Sequence, residues 1–136
     1  MVKNALVTEI ISKEMIGAGK YLLEELDLKN SQIKSFFWFY FLEEKTWKLI
    51  VASSLVKKEG PRSFYKRIND INTKLEQTDK ETVSLHNISV VILENEIVKL
   101  LALVIQTDNG ISDIRFTGNT VNGTYIEDVY IYRSNV

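Results

Sequence analysis

The stretch from residue 34 to 42 contains six consecutive aromatic residues, Phe36-Phe37-Trp38-Phe39-Tyr40-Phe41. Successive side chains of a strand point to opposite faces, so Phe37, Phe39 and Phe41 share one face and Phe36, Trp38 and Tyr40 the other. A strand that is apolar on both faces has to be covered on both, which makes it the centre of a layered fold. Residues 46 to 55 are again rich in apolar and β-branched side chains, and Glu43-Glu44-Lys45 separates the two runs. The pair reads as a β-hairpin with a charged tip.

The remaining elements follow from periodicity and punctuation. Val7, Ile11, Met15, Ala18, Leu22 and Leu26 recur at helical spacing, predicting an amphipathic helix over residues 2 to 27. Gly17 and Gly19 weaken it, each costing about 1 kcal/mol relative to Ala, so a kink or a close contact is expected there. Gly60-Pro61 opens a second helix, with Pro at the first helical position and Phe64, Ile68, Ile71 and Leu75 as its apolar face. Residues 82 to 93 have β character, with a break near His86-Asn87 where the apolar phase changes. Residues 95 to 106 favour a short buried helix, with a strand as the alternative. Asn122-Gly123 marks a type I′ hairpin turn; it sets Ile114 opposite Ile131, Phe116 opposite Val129, Arg115 opposite Tyr130 and Asp113 opposite Tyr132.

The expected order is α-β-β-α-β-(α)-β-β. This is an α+β class with a mostly antiparallel sheet of about five strands and two or three helices, the helices covering one face. No linker or repeat interrupts the chain of 136 residues, so one domain over residues 1 to 136 is expected.

Composition then removes several kinds of function. The absence of Cys excludes disulfides, thiolate metal sites and cysteine nucleophiles and favours a cytoplasmic location. A single His, His86, leaves no scheme that needs two imidazoles. With 17 Lys and Arg against 18 Asp and Glu, the molecule as a whole has no field to attract nucleic acid or an anionic membrane. No apolar run reaches the roughly 20 residues of a membrane-spanning helix. No cofactor is expected.

Local motifs fare little better. Gly17-Ala18-Gly19-Lys20 lacks the upstream Gly and the following Ser or Thr of a phosphate loop. Asp27 with Glu43-Glu44-Lys45 has the residue types of a metal-dependent nuclease, but on a hairpin tip. Asp108-Asn109-Gly110 with Asp113 lacks the spacing of a calcium loop, and adjacent Glu127 and Asp128 point to opposite faces of a strand. Ser53-Ser54 lacks the flanking Gly residues of a nucleophile elbow, and His86 reads as a polar residue at a strand irregularity.

Two surfaces remain. Residues 57 to 74 carry six cations against Glu59 and Asp70; Lys57, Lys58 and Arg62 flank a helix N-terminus and Lys66 and Arg67 lie a turn or more along it, an arrangement that can bind anions, although a solvated helix face is the favoured reading of such a segment. The non-core face of the C-terminal hairpin, with Arg115, Tyr130 and Tyr132, has the composition of an interaction surface, with packing of Tyr130 or Tyr132 under a helix as the alternative. Phe37-Trp38, Trp47 through Ser53, Gly60-Pro61, Asn122-Gly123 and Tyr130-Ile131-Tyr132-Arg133 resemble a group of small uncharacterised bacterial α+β proteins, a resemblance that implies no activity. The expectation is a non-catalytic interaction or accessory module in the cytosol, working as a homodimer or on another protein partner. A metal-dependent phosphodiesterase using Asp and Glu is the alternative from enzymes, and weak nucleic-acid or phosphate binding through residues 57 to 74 the third.

Overall fold

Strand β1 (Ile33–Phe41) occupies the middle of a five-stranded sheet, where its two aromatic faces require it to be. The computed structural model describes residues 10–136. Ahead of β1 runs helix α1 (Lys13–Leu28); after it come β2 (Thr46–Ser53), α2 (Ser54–Glu59) and α3 (Pro61–Gln77). A 3-10 turn (Leu85–Asn87) leads into β3 (Ile88–Val91), followed by α4 (Glu96–Ala102), β4 (Ile114–Val121) and β5 (Thr124–Ser134). The sheet order is β3-β2-β1-β5-β4. Every pair is antiparallel except β2 with β3, which the crossover through α2 and α3 makes parallel.

The α+β class holds, with four helices among the described residues instead of two or three. The additional one is α2, read from sequence as the end of a strand. Ser53 ends that strand: its hydroxyl accepts from Leu55 N at 3.0 Å, capping α2, and donates to Ser31 O at 2.6 Å. Helix α1 starts at Lys13, because Ser12 accepts from Met15 N at 3.1 Å and caps it there; residues 2 to 9 of the expected helix lie outside the described residues. The break at His86-Asn87 is the 3-10 turn, and residues 95 to 106 are helical over Glu96–Ala102. In the C-terminal hairpin Asn122 (φ 48°) and Gly123 (φ 82°) form the left-handed turn, and Ile114, Arg115 and Phe116 face Ile131, Tyr130 and Val129.

Helices cover both faces of the sheet, not one. Leu22, Leu23 and Leu26 of α1 and Phe64, Ile68, Ile71 and Leu75 of α3 pack with Phe36, Trp38, Tyr40, Leu49, Val51, Tyr130 and Tyr132. The opposite face carries Phe37, Phe39, Ile50, Val129 and Ile131 under Val98 and Leu101 of the short α4.

The two sheet edges are closed differently. At β3 the Tyr65 hydroxyl donates to Ile88 O at 3.1 Å and accepts from Val90 N at 3.0 Å, standing in for a further strand. At β4 the backbone turns left-handed at Gly118 (φ 57°), and the Asn119 amide donates to Thr117 O at 2.9 Å.

Candidate functional site

Tyr130 and Tyr132 are not on a surface. Their exposures are 8% and 1%, because β5 lies between β1 and β4 and is buried on both faces. A bulge opposite Phe36 and Phe37, which pair with Arg133 and Ile131, leaves Tyr132 as the extra residue. Tyr132 and Arg133, although consecutive, then both reach α1. The Tyr132 hydroxyl donates to Ile16 O at 2.6 Å and accepts from the Trp38 indole at 3.2 Å, while that indole also donates to Met15 O. Gly19 makes the approach possible: a Cβ there would lie 2.3 Å from the Tyr132 hydroxyl. The contact expected at the glycines is therefore with the sheet. The Tyr130 hydroxyl donates to Asp113 at 2.5 Å. Burial, and for Tyr130 also the Asp113 carboxylate, push both phenols well above the ordinary tyrosine value. Arg115 is exposed but held by Asp128 through two hydrogen bonds of 2.6 and 2.5 Å, which raise its pKa. The Tyr and Arg interaction surface is thus replaced by a core and one surface ion pair.

The basic segment keeps its position and loses part of its charge to internal partners. Lys57 pairs with Glu94 at 3.3 Å; hydrogen bonding to its own backbone and to Lys57 holds the Glu94 carboxyl below its usual value. Arg67 donates twice to Glu59, at 3.1 and 3.0 Å, and lies over the Phe64 ring. Lys58, Arg62 and Lys66 are exposed. Lys66 and Arg67 share a depression of about 250 Å³ with Lys29, Ser63 and Asp70, and the last contributes a carboxylate. Gly60 (φ 92°) caps α3 with no side-chain acceptor.

Among the described residues no group of three His, Cys, Asp or Glu side chains is placed to hold a metal ion, and no helix is long and apolar enough to cross a membrane. Glu43, Glu44 and Lys45 are exposed at the hairpin turn. Asp27 is engaged elsewhere, in a two-point ion pair with Arg133 at 3.0 and 2.9 Å. His86 is exposed.

Two features lie apart from the site residues that the sequence suggests. The first is a polar cavity of about 400 Å³ where α1 ends and β1 begins, lined by Asp27, Gln32, Lys34, Asn109 and the 3%-exposed Arg133, among others. Its residues come from positions as far apart as 27 and 133, and the bulge that turns Arg133 toward α1 shows only in the strand pairing. The second is an apolar recess of about 410 Å³ beside α4, with Leu100, Ala102, Leu103 and Val136 in its walls and Glu96 and Lys99 at its rim. The apolar run Leu100 to Ile105 is its signal in the sequence, since a helix ending at Ala102 cannot bury all of it.

Comparison with protein-family models, with curated proteins and with solved structures finds no match to this chain.

Proposed function

We propose that this protein is a small cytosolic interaction module that works as a homodimer through the α4 face. The observation that supports the reading is the unequal cover of the sheet. One face lies under helices of 16 and 17 residues, the other under a helix of 7. Beyond α4, Leu103 is 66% exposed, Val104 46% and Val136 47%. Apolar side chains grouped this way mark interaction surfaces. Glu96 and Lys99, of opposite charge and one turn apart at the rim, also suit a two-fold contact, where Glu96 of one copy can meet Lys99 of the next. The lack of Cys supports the cytosolic part of the reading.

Sedimentation equilibrium across a wide concentration range tests it. A dimer that Leu103→Glu converts to a folded monomer is the expected result. A wild-type chain that stays monomeric at the highest concentrations, or a dimer indifferent to Leu103→Glu, overturns it.

A further inference from the structure

We propose that the cavity between the C-terminal end of α1 and the start of β1 is a binding site for a small oxyanion, the carboxylate or phosphate group of a metabolite. The argument rests on which hydrogen-bonding groups are already used. Arg133 is buried and fixed: Nε donates to Gly110 O at 3.1 Å, Nη1 to Asp27 and to Ile33 O at 3.2 Å, and Nη2 to Asp27 at 2.9 Å. A guanidinium has five N–H groups. The fifth, on Nη2, has no acceptor among the described residues.

Three acceptors around it each already receive a hydrogen bond. Asn109 Oδ1 receives the Asn135 amide at 2.7 Å, Lys34 O receives Asn135 N at 2.8 Å, and Gln32 Oε1 receives the Ser54 hydroxyl. With those oxygens oriented toward their donors, the amide nitrogens of Asn109 and Gln32 have no acceptor among the described residues and can serve a ligand. With the Lys34 ammonium and the last Arg133 N–H they make a set of donors from four side chains, one of them a full positive charge. The Asp27 carboxylate is neutralised by Arg133. The carbonyls of Glu25, Leu26 and Asp27 at the end of α1 accept from Lys29, Asn30 and Ser31 and are hydrogen-bonded within the chain. Asn30 (φ 52°) and Gln32 (φ 55°) both hold left-handed backbone in this wall; Asn adopts it readily after a helix, whereas for Gln it is uncommon. The volume of about 400 Å³ falls in the range of small-ligand sites.

The test is a titration of the full chain with sodium phosphate, and separately with sodium acetate, followed by amide and side-chain NMR at constant ionic strength against sodium chloride. Saturable shifts of the Arg133 Nε–H and the Asn109 and Gln32 side-chain amides are expected. Saturation by phosphate alone assigns a phosphate-bearing ligand, and saturation by acetate assigns a carboxylate. Asn109→Asp retains the acceptor that Asn135 needs but replaces the free donor with a carboxylate oxygen; it should weaken binding about tenfold or more with an unchanged fold, and Lys34→Met should act in the same direction. Shifts that track chloride, that never saturate, or that persist unchanged in both variants overturn the proposal.

Discussion

The two faces of the sheet are built from different chemistry. On the α1 and α3 side most of the sheet's aromatics have polar tips, Phe36 excepted, and tips are used: Trp38 and Tyr132 hydrogen-bond to one another and to the first turn of α1, and Tyr130 bonds Asp113. On the α4 side Phe37, Phe39, Val129 and Ile131 are hydrocarbon only, and the rings of Phe37, Phe39 and Phe41 stack in series along one strand. Hydrophobic burial is non-directional, whereas a hydrogen bond to Met15 O or Ile16 O fixes where a helix sits. One face therefore positions its helices by direction and contact together. Among the described residues the other is held by contact alone, and has less helix to make it.

Deletions should separate the faces. Trp38→Ala removes a side chain with 2% exposure and two hydrogen-bonded contacts, and should cost about 3–5 kcal/mol, the range for buried large aromatics. Leu101→Ala, on α4, should fall near 2 kcal/mol, the low end for buried leucines, because a short helix can settle into the space left behind. Equal losses in denaturant unfolding would break the contrast. Gly19→Ala tests the same clamp by overfilling it, with an expected loss of about 1–3 kcal/mol. Tyr132→Phe in that background should recover part of the loss, because the hydroxyl is the nearest atom to the added methyl; a strictly additive double mutant would show that the two residues do not meet.

How far the sequence could be read follows the same division. The two-faced β1, the apolar stripe of α3 and the register set by Asn122-Gly123 are local patterns with one physical solution each, and the structure has them. The sequence leaves Tyr130 and Tyr132 open between surface and core because Val129 and Ile131 already supply one core face, and a tyrosine on the alternate face fits water as well as a core that offers its hydroxyl a partner. What decided between these was the position of β5 inside the sheet, which no local pattern encodes. Gly19 was the available clue: a glycine on the apolar side of a helix implies a close neighbour. Asp27 and Arg133 are 106 positions apart, and their pairing depends on the bulge at Tyr132. Helix α2 was missed because Ser53-Ser54 reads equally as strand end and helix cap.

Alkaline titration sharpens the comparison on the polar-tipped face. Tyr130 and Tyr132 have raised pKa values when folded, so above the ordinary tyrosine value of about 10 the unfolded chain releases protons that the folded chain retains. Stability is then unaffected by these groups near neutrality and declines as pH rises past 10. Tyr130→Phe should flatten part of that decline. A protein whose phenols all ionise near 10 without unfolding would contradict their burial.

The smallest effect is expected at the α4 face, and its size is the point. Leu103 is 66% exposed, so replacing it removes little buried area, and the monomer's stability should change by no more than about 0.5 kcal/mol, as at ordinary surface sites. If the α4 face is covered by a second copy, stability measured at high protein concentration includes association, and Leu103→Glu should lower the melting temperature there while leaving it unchanged in dilute solution. The same comparison for Leu28, 75% exposed at the end of α1 on the other side of the sheet, should show no concentration dependence in either variant or wild type. Concentration-dependent melting that responds to Leu28→Glu and not to Leu103→Glu would place the association on the well-covered face, and the thin cover over α4's side of the sheet would then need no partner to explain it.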